Sequence, residues 1–437
     1  MPTARFETPV PFPVGVVRAY HERPGALRRL IPPWDSTEIV EQVGAVAEGD
    51  RVVLRVPPGL RWVAVHHALA DGFSDEMVEG PLGHWRHSHR FVAQGDSTLI
   101  VDEVDYGPAI WSPLVGRGLA KMFAWRRGRI AEDLSRHAGQ RPQRFLLAGA
   151  SGLIGTQLSA FLRTGGHEVV QLVRRSAGVG QVEWDPARGR LDPASIEGFD
   201  AVISLSGENV AEGSWTPARK DQLRASRLGP TQLIGRTLAL LQRPPKAWVS
   251  ASAVGIYGSR GDERLDERSA PGAGFLAELC QAWEAAAETV STVRVVKARI
   301  GVVLSARGGA LAKMRTPFLA GVGGPIGDGR QYFPWIAMDD AVYALAQLAT
   351  DERLSGPINL VSPEPARQAD FAAALGKALW RPAFFSLPSL AVSTLFGEMG
   401  REALLGSQMA VPAALTAHFR FAQPTLSATL AHELGSA

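Results

Sequence analysis

Polar and apolar positions alternate over the first third of the chain and give way to continuous apolar blocks after it. Arg51–Val56, Arg61–His67, Trp85–Phe91 and Thr98–Val104 each repeat with a period of two, with Gly, Pro and Asp between them, as in an antiparallel sheet. Val14 to Leu30 has a helical period closed by Pro32-Pro33, and Leu114, Val115, Leu119, Met122, Phe123, Ile130 and Leu134 mark one face of a long helix. From Arg144 onward the strand candidates are mainly apolar, with single polar residues among them: Phe145–Ala148, Val169–Val173, the short Gln181–Asp185 as a third, then Ala201–Leu205, Ala247–Ala253, Val293–Leu304 and Ile358–Val361. Helical periods separate them, which predicts strands buried on both faces of a parallel sheet. The fold class expected is α/β, a Rossmann-type doubly wound sheet with a small C-terminal lobe, behind an N-terminal α+β domain. The expected boundaries are residues 1–138, 144–375 and 376–437, with 138–143 as linker.

The first apolar run leads into Gly149-Ala-Ser151-Gly152-Leu153-Ile154-Gly155. In a strand–turn–helix setting Gly149 permits the tight turn, Gly152 lets backbone approach a pyrophosphate, and Gly155 lets helix pack on strand. The helix N-terminus favours the phosphates' negative charge. The second strand ends at Arg174-Arg175, where a carboxylate would select the ribose hydroxyl of NAD. Guanidiniums suit a 2′-phosphate, so the cofactor expected is NADP(H). Leu205, Ser206 and Gly207 leave the fourth strand, and Ser250 and Ala251 lie on the fifth. They complete the expected cofactor set together with Arg299 on the sixth. Ser252 and Tyr257, near the fifth strand's carboxyl end, are the catalytic candidates, Tyr257 donating a proton and Ser252 orienting a carbonyl. Lys220 and Glu208 are further candidates for the crevice.

Composition narrows the partners. A net charge of +3 on 437 residues provides no basic surface for nucleic acid. The cluster Trp125-Arg-Arg-Gly-Arg129 is expected on the polar face of its helix. No apolar stretch approaches a membrane span, and the first residues lack an apolar leader core. One cysteine, Cys280, excludes a disulfide framework and suits a reducing cytoplasm. A small-molecule substrate is expected, with neither nucleic acid nor membrane as partner. His84, His87 and His89 stand close together, with His66 and His67 on a neighbouring strand. His87 and His89 share a strand face, and Asp75 or Glu76 offers an oxygen ligand. The spacing matches no zinc framework, so no metal is expected and the histidines are read as polar groups on a sheet face.

In its order of helix, antiparallel sheet and long closing helix, the front region resembles the START-like, polyketide-cyclase-type (helix-grip) fold. The residues Met77–Phe91 and Val101–Tyr106 carry that likeness. The resemblance implies an apolar ligand between sheet and helix. From Arg144 on, the chain resembles an atypical extended short-chain dehydrogenase/reductase of the epimerase-family, or sugar-nucleotide-epimerase-like, group. The motifs are Gly149–Gly155, Leu205–Asn209, Trp215–Lys220, Ser250–Gly258, Phe275–Glu284, Gly323–Gln331 and Pro334–Asp340. A small C-terminal domain of unknown function is resembled by Arg381-Pro382, Pro388, Gly397-Glu398, Leu404–Gln408, Pro412 and Phe419–Phe421.

The resemblance implies a proton-transferring Tyr-x-x-x-Lys pair on the helix after the fifth strand. That helix instead reads Phe275-Leu276-Ala-Glu-Leu279-Cys280. The expected function is an NADP(H)-binding oxidoreductase or epimerase/dehydratase-like enzyme. The alternative is an NADP(H)-binding sensor without turnover.

Overall fold

The computed structural model describes residues 2–107 and 112–436, with the backbone alone for 112–114. Residue contacts divide the chain into two compact units: Met1–Pro142 with Ala160–His167, and Gln143–Ser159 with Glu168–Ala437.

The first unit is an antiparallel seven-stranded sheet. Its strands are β1 (Thr3–Val10), β2 (Glu38–Val43), β3 (Arg51–Val56), β4 (Leu60–Leu69), β5 (Gly72–Glu79), β6 (His84–Gln94) and β7 (Ser97–Gly107). They lie in the order β1-β7-β6-β5-β4-β3-β2. Three helices, α1 (Val14–Glu22), α2 (Ala26–Leu30) and α3 (Ser112–His137), belong to the same unit. The stretch expected as one helix from Val14 to Leu30 is therefore two. Pro24 lacks the amide that would continue α1, and Gly25 takes a φ of +102°, outside helical geometry. Leu119, Phe123, Ile130 and Leu134 of α3 are buried as their spacing predicts, whereas Leu114 is described by its backbone alone.

Arg126 and Arg129 do not lie on a solvated face. Arg126 Nε donates to the Leu30 carbonyl at 2.8 Å, and Arg129 is buried with its guanidinium over Trp125. For Arg129 the cause is Asp133, fully buried 3.9 Å away, which also gathers Arg29 at 2.6 Å, with Tyr20 donating to it at 2.9 Å. A carboxylate in that position needs cations around it.

The second unit holds a parallel sheet of β8 (Arg144–Ala148), β9 (Glu168–Val173), β10 (Gln181–Glu183), β11 (Ala201–Ser204), β12 (Ala247–Ala253), β13 (Arg294–Ile300) and β14 (Gly356–Leu360). The order is β10-β9-β8-β11-β12-β13-β14, so the winding reverses between β8 and β11. In sheets of this kind ligands lie beyond the carboxyl ends of the strands at that reversal. The apolar run Val293–Leu304 breaks at Gly301, where a Cβ would come within 2.8 Å of the Pro334 carbonyl oxygen. The residues beyond it, Val302–Leu304, pair with Trp335–Ala337.

The helices used below are α4 (Leu153–Thr164), α5 (Pro217–Leu238), α6 (Phe275–Ala287), α7 (Met338–Thr350), α8 (Ser389–Met399) and α9 (Leu426–Leu434). Helix α5 starts where its sequence dictates, with the Thr216 hydroxyl accepting from Arg219 N at 3.2 Å and Pro217 in its first turn. Among the described residues no helix is long and apolar enough to cross a membrane.

Candidate functional site

The reversal point is built from two chain exits lying side by side. Leu205 N donates to the Ala148 carbonyl at 2.9 Å, so the chain leaving β11 runs beside the turn leaving β8. Gly149 has φ +79°, and a Cβ there would stand 2.8 Å from the Leu205 carbonyl carbon. A Cβ on Gly155 would meet the Gly149 oxygen at 2.2 Å, so the first turn of α4 packs against the strand exit only because that position is glycine. Gly152 differs. Its added Cβ would touch nothing but the Gly149 oxygen at 3.3 Å, and Ser151 and Gly152 are exposed. Closed glycines brace the turn, and an open one faces outward at a helix N-terminus. That is a cradle fit for a pyrophosphate.

At the end of β9, Arg174 and Arg175 are exposed and make no hydrogen bond or ion pair with any described residue. Leu205 and Ser206 are half-buried and Gly207 is exposed. Arg227 of α5 holds this exit loop from behind, its Nη2 donating to the Glu208 carbonyl at 2.8 Å while its guanidinium covers the Trp283 ring. Sequence reading missed this role of Arg227, although an arginine inside a helix whose neighbours Leu223 and Thr231 are buried was a legible signal. Ser250 and Ala251 are buried in β12, and the Ser250 hydroxyl has no hydrogen-bond partner among the described residues. Glu208 pairs with Arg219, and Lys220 reaches Glu398 of α8 at 2.6 Å.

The two catalytic candidates are turned inward. Ser252 Oγ donates to Glu284 of α6 at 2.7 Å. Arg299 donates to both oxygens of the same carboxylate, at 2.8 and 2.9 Å. Its Nη1 donates to Tyr257 Oη at 2.9 Å, and Tyr257 Oη donates to Asn359 at 2.7 Å. Tyr257 and Asn359 have no exposed surface, and Ser252, Glu284 and Arg299 keep 2%, 7% and 6%. Burial raises the Tyr257 hydroxyl's pKa above its ordinary value against the opposing pull of Arg299. Burial lowers that of Arg299, but its bonds to Glu284 outweigh this and leave it above the ordinary range. Both hydroxyls are thus engaged in a closed network, and Arg299 is locked to Glu284 rather than turned toward the crevice. Glu284 and Asn359 were missed. The signal for Glu284 was an acidic residue on a helix whose other buried positions are apolar.

The helix expected to carry proton-transfer groups is apolar where they would stand. Phe275, Leu279 and Cys280 are buried, and Phe275 packs edge-on to Trp215 with ring centroids 5.0 Å apart. The amino end of α6 is satisfied from the C-terminal lobe, where Glu402 accepts from Phe275 N and Leu276 N at 3.0 Å each. Asp340 of α7 takes Ala422 N and Gln423 N at 2.7 and 3.0 Å, which assigns it a binding role within the fold.

Residues 145–360 match the model of the NAD dependent epimerase/dehydratase family, and 387–433 match a domain of unknown function (DUF1731). An epimerase family protein of Mycobacterium bovis is 43% identical over 290 residues, covering 65% of this chain and 96% of that protein. The human epimerase family protein SDR39U1 is 38% identical over 293 residues, covering 66% and 98%. Its crystal structure with NADPH aligns with a TM-score of 0.62 at 35% identity, over 67% of this chain and all of that one. A structure described as the nucleoside-diphosphate sugar epimerase of Corynebacterium glutamicum aligns over 99% of this chain and 90% of its own, with 35% identity and a TM-score of 0.84. The chain belongs to the NAD dependent epimerase/dehydratase family and carries that family model together with the DUF1731 domain.

Proposed function

We propose that the second unit binds NADP(H) at the β8/β11 reversal, and that the protein is an NADP(H)-dependent oxidoreductase or epimerase/dehydratase-like enzyme acting on a small molecule. The observation that carries this reading is the pair of exposed guanidiniums, Arg174 and Arg175, uncommitted where a carboxylate would otherwise meet the ribose. The human relative solved with NADPH supports it. The bound nicotinamide supplies or accepts a hydride. Gly149, Gly152 and Gly155, with Ser151, Leu153 and Ile154, receive the pyrophosphate against the start of α4. Arg174 and Arg175 hold the 2′-phosphate, while Leu205, Ser206, Gly207, Ser250 and Ala251 form the far wall. Ser252, Tyr257 and Arg299 act as positioning residues, fixing β12 and β13 against α6 through Glu284.

A second reading is favoured by one observation: Phe275, Leu276, Leu279 and Cys280 stand on α6 where the resemblance implies a proton-transferring tyrosine and lysine. On that reading the protein is an NADP(H)-occupied regulator without turnover. Incubation with NADPH deuterated at C4, each stereoisomer in turn, with a total metabolite extract separates the two. A product carrying deuterium, absent with Arg174→Ala/Arg175→Ala, supports the enzyme. NADPH binding without any label transfer supports the regulator, or an epimerase that returns its hydride to the substrate.

The first unit we assign to the START-like class. A helix pair, a seven-stranded antiparallel sheet and a long closing helix support this, and the class implies an apolar ligand. A buried, unpaired Cys280 accords with the cytoplasm as location.

A further inference from the structure

The core of the first unit contains a group of ionisable side chains that its apolar packing does not need. Register places them. Asp75 of β5 stands opposite His87 of β6, and His89 of β6 stands opposite Asp102 of β7. All four therefore share the sheet face that also carries Phe73, Phe91 and Val104, which are buried in the apolar clusters. His87, His89 and Asp102 retain 5%, 8% and 5% of their surface. The ring of His89 lies over Phe73 with centroids 4.5 Å apart, and that of His87 stands edge-on to Phe123 at 5.5 Å.

The atoms sort into two sets. His87 Nε2 lies 3.0 Å and His89 Nδ1 2.7 Å from the same Asp102 oxygen. The opposite nitrogens face Asp75: His87 Nδ1 is 3.5 Å and His89 Nε2 3.9 Å from Asp75 Oδ1. Trp85 Nε1 donates to the other Asp75 oxygen at 3.3 Å, which leaves Oδ1 to the histidines. Ligand atoms on a zinc ion at about 2.0–2.2 Å stand some 3.4 Å apart in a tetrahedron. The Asp102 carboxylate, hydrogen-bonded to His87 Nε2 at 3.0 Å, fixes which nitrogen of that imidazole carries the proton and presents Nδ1 as a lone pair toward Asp75. The His89 Nδ1 contact is close but off the axis of a hydrogen bond, so a nine-tenths buried imidazole is left without an aligned partner. His66, opposite Asp75 on β4, turns its Nδ1 to the Asp50 carbonyl at 3.3 Å, and His21 gives its Nδ1 to the Val17 carbonyl at 2.8 Å.

We propose that Asp75, His87 and His89 bind a divalent transition-metal ion of the zinc type, buttressed by Asp102, with one coordination position left for an exogenous oxygen ligand. Two imidazoles and one carboxylate select such ions over magnesium or calcium. Three protein ligands with a free position is the pattern of a reactive or ligand-binding centre rather than a closed structural one. Arg126 of α3 also faces Asp102 and Asp75. With a proton on the His87–His89 pair it would balance the carboxylates without metal, and the test must separate these states.

The full-length, tag-free chain is stripped with a chelator and dialysed against Zn(II) or Co(II). Metal content and the visible spectrum of the cobalt form are then measured. The expected result is about one equivalent per chain and the intense visible bands of low-coordinate Co(II). Asp75→Asn changes no volume at a partly exposed side chain and lowers metal affinity at least about tenfold, and Asp102→Asn does so about 10–100-fold. His89→Gln abolishes the cobalt bands. Should His89→Gln fail to fold by circular dichroism, Asp75→Asn decides. A second group, Asp339, His432 and Glu433 in the other unit, serves as control, and His432→Gln leaves the cobalt spectrum unchanged. Folded wild-type protein that retains no metal overturns the proposal. So does metal held equally by Asp75→Asn, or lost on His432→Gln.

Discussion

Ser252 and Glu284 are 32 positions apart in the chain and 2.7 Å apart in the fold, and the carboxylate that accepts the serine's hydrogen bond also accepts two from Arg299. The pair is buried, so each charge depends on the other. Glu284→Leu alone leaves the Arg299 charge uncompensated, and Arg299→Met alone leaves Glu284 with only Lys297 at 3.9 Å, so each should cost about 3–5 kcal/mol. The double variant should recover part of that loss, because no lone charge remains. Urea denaturation of the four proteins at neutral pH measures it. Single variants within about 0.5 kcal/mol of wild type would show that the network contributes no such coupling.

Tyr257 tests whether this network is scaffold or chemistry. Tyr257→Phe removes a hydroxyl that accepts from Arg299 and donates to Asn359, so a stability loss of about 1–3 kcal/mol is expected. As a positioning residue it should leave NADPH affinity within about twofold and deuterium transfer detectable, since a twofold change is under 0.5 kcal/mol. Loss of label transfer with binding and folding intact would return Tyr257 to the role of proton donor.

On the proposed function, Arg174 and Arg175 set cofactor choice. A charge-assisted hydrogen bond is worth about 1.5–3 kcal/mol, so Arg174→Ala/Arg175→Ala should weaken NADPH binding about 10–100-fold or more. NADH binding should hardly change, because NADH lacks the phosphate those guanidiniums meet. Fluorescence titration of each nucleotide gives the ratio. Equal weakening for both would place the arginines on the shared part of the dinucleotide.

Sequence period was sufficient for whatever is local. The glycine turn, the strands on either side of it and the Thr216 start of α5 are each decided within about ten residues, where steric limits and hydrogen-bond ends speak for themselves. Strands β1, β2 and β5 were missed. Strand β2 lies at a sheet edge and exposes most of its length, which blurs the alternation. Strand β1, at the other edge, alternates but is interrupted by Pro9, and central β5 carries Ser74, Asp75 and Glu76 in its middle. The network around Arg299 was invisible for another reason. Its members come from positions 252, 257, 284, 299 and 359, and nothing in any one segment says that the others will meet it. Arg126 and Arg129 were misplaced because a helix period assigns charged residues outward unless their inward partners, the Leu30 carbonyl for Arg126 and Asp133 for Arg129, are known. The candidate histidines lay in plain view, but only strand register brings Asp75 and Asp102 to opposite sides of them.

Glu402 joins the C-terminal lobe to the amino end of α6, accepting from Phe275 N and Leu276 N at 3.0 Å each. A carboxylate there satisfies two otherwise orphan amides and complements the helix dipole. Glu402→Ala should therefore cost about 1–2 kcal/mol, and Glu402→Gln, which keeps an acceptor but loses the charge, about half as much. Denaturant midpoints of the three proteins give the ranking. Equal losses in both variants would assign the effect to charge alone.

Cys280 supplies the clearest pH dependence. Burial pushes its thiol up to about 12 from an ordinary value of 9.0, with Arg227 opposing. The unfolded chain releases this proton at lower pH than the folded one, so folding stability falls as pH rises from 9 toward 12 and is unaffected by this group below that window. The slope due to Cys280 approaches about 1.4 kcal/mol per pH unit within the window. Cys280→Ala should flatten the alkaline limb of the stability profile by that amount, after a constant loss of packing at all pH values. In the native protein at pH 8 the neutral, buried thiol should resist alkylation until denaturant is added. Rapid native labelling, or an alkaline limb identical in Cys280→Ala, would mean that solvent reaches the interior between β12 and α6, and the closed network around Ser252 and Glu284 would be open as well.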